Sequence, residues 1–559
     1  MNYLIKMNKK YRNYVGALIA SAILVSCGTK GLKFDAEPLY LADLPEKNQD
    51  LTDDELKTWS HADLLTDTIP GMSVNRAYKE LIRDQEGDTV IVGVIDSGID
   101  IEHEDLASVI WVNPNEIPGN GIDDDENGFI DDINGWNFLG DIVEENMEYV
   151  RIIRDFEKIY GENDAQASTA EKQNYKSAKA EYEKELKETQ TNYNRYLMLQ
   201  TNLQRGESSL KNAMEVDQLT IDDLRAFETD STQLLNHKNF IMNVMVNAGE
   251  DLAEVNSQLD EAKLYFEGRI NSHFKKDLNA RANKLGDDEN DFSISVYGNN
   301  QVSGPDPKKE DAKHGTHVAG IIAADRTNDK GVKGVAQNVK IMAIRAVPDG
   351  DEYDKDIAMA FRYAVDNGAK VINTSFGKYF STYPEKVEDA MRYAAENDVL
   401  IVNAAGNEGL NLDEKRVYPN DQSPENESEI IDNFLNVGSI TPAYGKAMVS
   451  GFSNYGKKSV DIFAPGSQIY ASTPLNEYEF LQGTSMAAPG VAGIAALIRS
   501  YYPKLTAAQV KKVIMDSGLA FEGEVIVGGD PNHTVEFSEL SVSGKIANLY
   551  NALILADEQ

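Results

Sequence analysis

Thr89 to Ile95 (TVIVGVI) is an unbroken run rich in β-branched residues that stops at Asp96-Ser97-Gly98. A strand covered on both faces has no polar side to present, so it reads as a continuous apolar run and not as an alternation. Similar runs recur at Lys340–Arg345 (KIMAIR), Val371–Asn373, Val399–Asn403 (VLIVN) and Phe434–Ser439, with helical patterns at 354–367 and 384–397 between them. This alternation predicts an α/β fold, a parallel sheet sandwiched between helices on both faces. A short helix is expected over 77–85.

Residues 143–291 break the rhythm. They contain no proline and no tryptophan. Ile241, Val244, Ala248, Leu252, Val255, Leu259, Ala262, Phe266, Ile270 and Phe274 step by three or four, which is one apolar stripe on a long helix. Tyr175, Ala178, Tyr182, Leu186, Tyr193 and Tyr196 form a second stripe, and Thr220-Ile-Asp-Asp reads as a helix start between them. The expectation is a coiled-coil-like helical hairpin inserted in the α/β domain, its tyrosines serving helix packing.

Three segments carry chemistry: Val92-Gly-Val-Ile-Asp96-Ser-Gly, Lys313-His314-Gly-Thr-His317 and Gly483-Thr-Ser485-Met-Ala-Ala-Pro489-Gly. Each alone has a bland reading: a helix cap, a core histidine, an N-capping turn. Together they supply what a serine nucleophile needs. A hydroxyl near neutral pH requires an adjacent base, imidazole has the right basicity, and a carboxylate on the far ring nitrogen fixes the tautomer. Ser485 opens an Ala-rich helix, whose N-terminus offers N–H groups to an oxyanion. A fourth segment, Val402-Asn-Ala-Ala-Gly406-Asn407-Glu-Gly409, follows an apolar strand and provides a side-chain amide.

With these motifs in the order Asp, His, Ser, the chain resembles the subtilisin-like serine proteases (subtilases), a family known for that order. The resemblance covers about 76–142 and 292–518. It implies a subtilisin-like parallel-sheet sandwich and an endopeptidase that works through an acyl-enzyme. By the same resemblance Asp96 orients the base, His314 is the general base and acid, Ser485 is the nucleophile and Asn407 assists the oxyanion; His317 is structural. Ser375-Phe376-Gly377, within Asn373–Gly377, resembles the strand that pairs with an extended substrate. Lys545–Leu553 resembles a closing helix. The 218 positions between Asp96 and His314 exceed the family's usual gap, which the insertion of 143–291 explains. No stretch matches the family's folded pro-domain.

Asn120–Asp132 is dense in hard oxygen donors. Asp123, Asp125 and Asn127 alternate as in calcium loops, Gly128 allows a sharp turn, and Asp131 and Asp132 follow. Calcium is expected there as a structural ion, which the resemblance also implies; the loop is not an EF-hand. No organic cofactor is expected.

The chain opens with Lys6, Lys9, Lys10 and Arg12, then the apolar run Val15–Val25, then Ser26-Cys27-Gly28. This reads as a secretory signal too short to span a bilayer. Leu24-Val25-Ser26-Cys27 resembles a bacterial lipobox, so Cys27, the single cysteine, is the expected lipid attachment point. The expected location is the cell envelope, with the protein lipid-anchored in the membrane. One cysteine excludes a disulfide framework, and 54 basic against 92 acidic side chains (net −38) exclude a nucleic-acid partner. The partners expected are protein or peptide substrates. The expected divisions are 1–27 signal and lipobox, 28–75 tether, 76–142 and 292–518 peptidase, 143–291 insertion and 519–559 a closing segment. The alternative is a surface adhesion lipoprotein that uses the insertion on a protease scaffold. A metal hydrolase lacks the Glu of H-E-x-x-H, and an esterase would show Gly-x-Ser-x-Gly.

Overall fold

The computed structural model describes residues 36–38, 51–161, 164–248, 252–423 and 428–559. The signal segment and Cys27 lie outside them. Strands β1 (Val90–Asp96), β2 (Gly135–Asn137), β3 (Val339–Arg345), β4 (Val371–Thr374), β5 (Leu400–Ala404), β6 (Phe434–Ile440) and β7 (Ile462–Pro465) are followed by β8 (Ile469–Thr473), β9 (Glu477–Leu481), β10 (Leu519–Ala520), β11 (Glu524–Ile526), β12 (Thr534–Glu536) and β13 (Lys545–Ile546). Nine of them form one sheet in the order β10-β13-β7-β6-β5-β4-β1-β3-β2, parallel except at the β10–β13 edge. β8 pairs antiparallel with β9, and β11 with β12.

Side chains alternate between two cores, as the pleat requires. Val92, Val94, Ile341, Ala343, Leu400 and Val402 join one core with the helices Lys313–Ala323 and Thr484–Tyr501. Ile95, Met342, Ile344 and Ile401 join the other with the helices Asp354–Asp366 and Pro384–Glu396. The five expected strands are β1, β3, β4, β5 and β6, and both expected crossover helices form. The helix expected over 77–85 is instead Val74–Ala77 with a wider turn at Tyr78–Ile82. The closing helix is Leu549–Asp557, after the short strand β13.

The segment expected as a tether is different from residue 51 onward. Trp59 is 1% exposed, and its indole N–H donates to the carbonyls of Ser467 (3.2 Å) and Gln468 (3.1 Å). Leu64, Ile69 and Met72 enter the first core with it. The peptidase fold therefore takes in residues well before 76. The segment Met72–Arg76 meets the closing helix: Leu549 N donates to Met72 O (2.9 Å), Asn548 Nδ2 to Ser73 Oγ (2.7 Å), and the Arg76 guanidinium lies 4.7 Å from the centre of the Tyr550 ring.

The insertion is richer than one hairpin. It runs through helices Glu148–Tyr160, Thr169–Met214, Ile221–Ala226, Thr232–Ala248 and Leu252–Asn271. The 46-residue helix is about 69 Å long at 1.5 Å per residue. Ser168 with Glu171, and Thr220 with Asp223, form capping boxes that start two of these helices. The tyrosine stripe packs inward: Tyr175 stacks on Phe156 (4.3 Å), Tyr182 lies against Phe274 and Tyr196 on Phe266. Leu203, Leu210, Ile241, Met245 and Val255 form a core of their own farther along.

The boundaries 143 and 291 fall inside the peptidase packing. Arg151 is 3% exposed and donates to the carbonyls of Asp351 (2.8 Å) and Glu352 (2.9 Å). Arg281, 1% exposed, makes a two-pronged bond to Asp356 (2.8 Å each) and one to Asp287 (2.7 Å), and Asp287 also holds Lys355. Removing 143–291 would leave Lys355 and Asp356 buried without these partners, a costly state. The separable part is the arm beyond these roots.

Candidate active site

Asp96 ends β1, Ser375 follows β4 and Asn407 follows β5 by three residues, so all three stand at the carboxyl ends of parallel strands, where open α/β sheets hold ligands. His314 and Ser485 come from the first turns of two buried small-residue helices that pack on each other. The fold thus gathers residues 218 and 171 positions apart at one sheet edge.

Asp96 is 2% exposed. Its Oδ1 accepts from His314 Nδ1 (2.7 Å) and from Ser97 N (2.7 Å), and its Oδ2 is buried with no partner among the described residues. Burial draws the His314 pKa down, but the Asp96 charge and hydrogen bond draw it up, and the net shift is upward. The approach is so close that an ideal Cβ on Gly315 would lie 2.2 Å from Gly98 O and 3.1 Å from the Asp96 side chain. Only glycine fits against Gly98 and Asp96 at this position.

Ser485 Oγ donates to the Ser375 carbonyl (3.2 Å), and the Ser375 hydroxyl donates to Ser485 O (2.9 Å). Asn407 Oδ1 accepts from Thr484 N (2.8 Å) and Thr484 Oγ1 (3.0 Å), which fixes the amide plane and leaves Nδ2 as the donor end. Gly483 has φ +150°, and an ideal Cβ there would lie 3.4 Å from Asn407 Nδ2 and 3.6 Å from Ser485 N. Those two donors therefore border one small space, kept open by a glycine. Thr484 stood in a quoted motif, but nothing in the spacing assigned it this role.

The other expected residues are placed as follows. His317 Nε2 lies 3.1 Å from the carbonyls of Ile469 and Glu479, and burial lowers its pKa to about 4, so it stands as a neutral core residue. The Phe376 side chain is buried in the second core, leaving backbone as what Ser375–Gly377 can offer a ligand. In the acidic loop, Asp123 and Asp125 come together with Glu116, with carboxylate oxygens of all three within 4.8 Å of one another. Asp131 is turned instead to the amides of Gly119 (2.7 Å), Asn120 (3.2 Å) and Gly121 (2.8 Å). Asp132, its pKa raised to about 6 by burial, accepts from Tyr363, Asn113 and Asn127, and the Asn127 oxygen accepts from Phe129 N. The expected five-residue set thus narrows to Asp123 and Asp125, joined by Glu116, which has no motif spacing to mark it. On the helix Ala507–Ser517, Lys511 meets Glu429 (3.0 Å) and Asp461 (3.4 Å).

Residues 87–534 match the model of the subtilase family, Peptidase S8. The chain belongs to the subtilase family. Among its subtilase relatives, a thermophilic serine proteinase of Bacillus sp. (strain AK1) is 40% identical over 188 residues, 34% of this chain and 42% of that protein. Subtilisin DY of Bacillus licheniformis is 36% identical over 218 residues, 39% of this chain and 74% of that protein. A solved protease of Pseudoalteromonas arctica is 28% identical with a TM-score of 0.36, over 44% of this chain and 70% of that one. The chain carries a subtilase serine-endopeptidase domain of α/β fold.

Proposed function

We propose that this subtilase is a secreted, lipid-anchored serine endopeptidase whose triad is Asp96, His314 and Ser485. The observation that carries the proposal is the 2.7 Å bond from His314 Nδ1 to buried Asp96; Asn407 Nδ2 and Ser485 N, both close to the Gly483 backbone, support it as donors for an oxyanion. Ser485 Oγ attacks the scissile carbonyl and passes its proton to His314 Nε2; Asp96 stabilises the imidazolium. Ser485 N–H and Asn407 Nδ2 receive the oxyanion. His314 then protonates the leaving amine, and water, activated by the same imidazole, releases the acyl group from Ser485. The backbone of Ser375–Gly377 pairs with an extended peptide. A fluorophosphonate should label Ser485 in the folded protein. A folded protein that stays unlabelled overturns the assignment.

Calcium is proposed at Glu116, Asp123 and Asp125, an all-oxygen donor set suited to a hard cation. Its role would be to hold the loop Glu116–Asp132 in shape. Asp123 Oδ2 already accepts from Gly128 N (2.8 Å) and Glu116 Oε1 from Asp124 N (2.8 Å), so the ion would complete a loop tied by its own backbone. Chelation should lower the melting temperature, and Asp125→Ala should remove that sensitivity. At a hundredfold excess over Kd such an ion contributes about 2.7 kcal/mol. An unmoved melting curve in protein shown by metal analysis to carry no calcium would sink the proposal.

Lipidation is proposed at Cys27, after removal of 1–26. No helix among the described residues is long and apolar enough to cross a membrane. Cys27→Ala should abolish lipid labelling and move the protein from the membrane to the soluble fraction. Membrane retention of that variant through a high-salt wash would contradict it.

A further inference from the structure

The residue that follows the proposed substrate strand is a buried lysine. Lys378 has a side chain 2% exposed, and its ammonium reaches Asp354 Oδ1 (2.9 Å), Glu148 Oε2 (3.3 Å) and the carbonyl of Glu352 (2.7 Å). Glu148 is the first residue of the first helix of the insertion, while Asp354 opens a crossover helix of the sheet. The Lys378 backbone does a second job. Its N–H donates to Tyr418 O (3.0 Å) and its carbonyl accepts from Tyr418 N (2.8 Å). That bridge draws the strand against the opposite segment, where an ideal Cβ on Gly377 would lie 3.1 Å from Val417 Cγ1.

Ser375–Gly377 is thus fixed at both ends: by the exchange of hydrogen bonds with Ser485 on one side, and by Lys378 on the other. The second fixture is built partly by the insertion. Glu148 is itself held, its backbone N–H donating to Asp351 Oδ2 (2.7 Å) and its carboxylate accepting from Arg151 Nε (2.9 Å) and from Thr382. Asp354 Oδ2 in turn accepts from Ser381 Oγ (2.9 Å), Thr382 N (2.9 Å) and Tyr383 N (2.7 Å), so it ties down the chain just past Lys378. Phe380, two residues on, packs 5.9 Å from Tyr149.

We infer that Lys378 is a positioning residue for extended substrates, and that the root of the helical insertion, through Glu148, supplies half of the anchor that holds the substrate strand in register. The inference rests on the reading of Ser375–Gly377 given under Proposed function. A buried ammonium with two carboxylates tolerates little displacement, because moving it strands charge. A strand held this way is preorganised for peptide pairing, and a peptide too short to use the strand gains nothing from it.

The test compares a peptide substrate spanning four residues on the acyl side with a single-residue amide carrying the same leaving group, in the full chain. Lys378→Met should lower the ratio of kcat/KM for the long substrate to that for the short one about tenfold, mainly through KM. Fluorophosphonate labelling of Ser485 should change less than twofold, and Lys378→Arg should recover most of the ratio. Glu148→Gln, which leaves Lys378 its Asp354 partner, should lower the ratio by a smaller factor and carries the test if Lys378→Met does not fold. An unchanged ratio in the folded variants overturns the inference, as does labelling that falls in step with hydrolysis. A wild-type protein that is folded and unlabelled would instead strike at the triad, a separate failure.

Discussion

Ser485→Ala is expected to lower kcat for peptide hydrolysis by about six orders of magnitude, the loss known for subtilisin when nucleophile or base is removed. The reason lies in how the site is shared. Without Oγ no acyl-enzyme forms, and His314 and Asp96 then have no proton to move. What remains is the space bordered by Asn407 Nδ2 and Ser485 N, which can still favour an oxyanion formed by direct attack of water. The fold should tolerate the change, because the hydroxyl donates one long, part-buried bond of 3.2 Å to Ser375 O and the helix below it is held by buried Ala, Val and Ile. The measurement is steady-state turnover of purified variant with a matched melting curve. Turnover within a factor of ten of wild type would remove Ser485 from the mechanism.

Asp96→Asn should cost about four orders of magnitude in kcat, because the amide selects the wrong imidazole tautomer while keeping the geometry. It should also move the pH profile in a definite direction. The working form of His314 is neutral, so activity falls on the acid side as the ring gains a proton. Asp96 raises that pKa against the downward pull of burial. With the charge gone burial prevails, and the acid limb of kcat/KM should shift to lower pH. Stability follows the same sign. A histidine whose folded pKa lies above its unfolded value adds stability that is complete below about 6.5 and fades as pH rises through the folded pKa. The variant should therefore lose more melting temperature relative to wild type at pH 5.5 than at pH 9. An acid limb that stays in place, or moves upward, would show that Asp96 does not set the charge of His314.

The strands and the four site motifs were legible because each carries its own signature. β1, β3 and β5 are covered on both faces, so their runs are apolar through the middle and carry polar side chains only near their ends. Asp96, His314, Ser485 and Asn407 sit in short glycine-rich contexts where the backbone must approach closely. The lead-in was not legible. Trp59, Leu64, Ile69 and Met72 fill the first core from a single 3₁₀ turn and irregular chain, with neither a period of 3.6 nor one of 2 to reveal them. The roots of the insertion hid for another reason: Glu148, Arg151, Arg281 and Lys378 look like solvated charges in a sequence, and their burial depends in part on partners 75, 200 and 230 positions away. Glu116 joins Asp123 and Asp125 through a turn of the chain that no ligand spacing announces.

The meeting of segments 72–76 and 548–551 has a consequence for a protein that is a potential meal for its own kind. Autolysis begins where a chain end frays, since a protease needs an extended stretch of some residues to bind. Here the closing helix is laced to segment 72–76, itself preceded by the core residues Trp59, Leu64 and Ile69, so the helix cannot peel away while that segment stays docked, and release of a cleavable stretch is tied to a wide, cooperative opening. The lifetime of the folded protein among active copies would then be set by the rate of that opening, and weakening the Asn548–Ser73 clasp would shorten it even where the melting temperature barely moves.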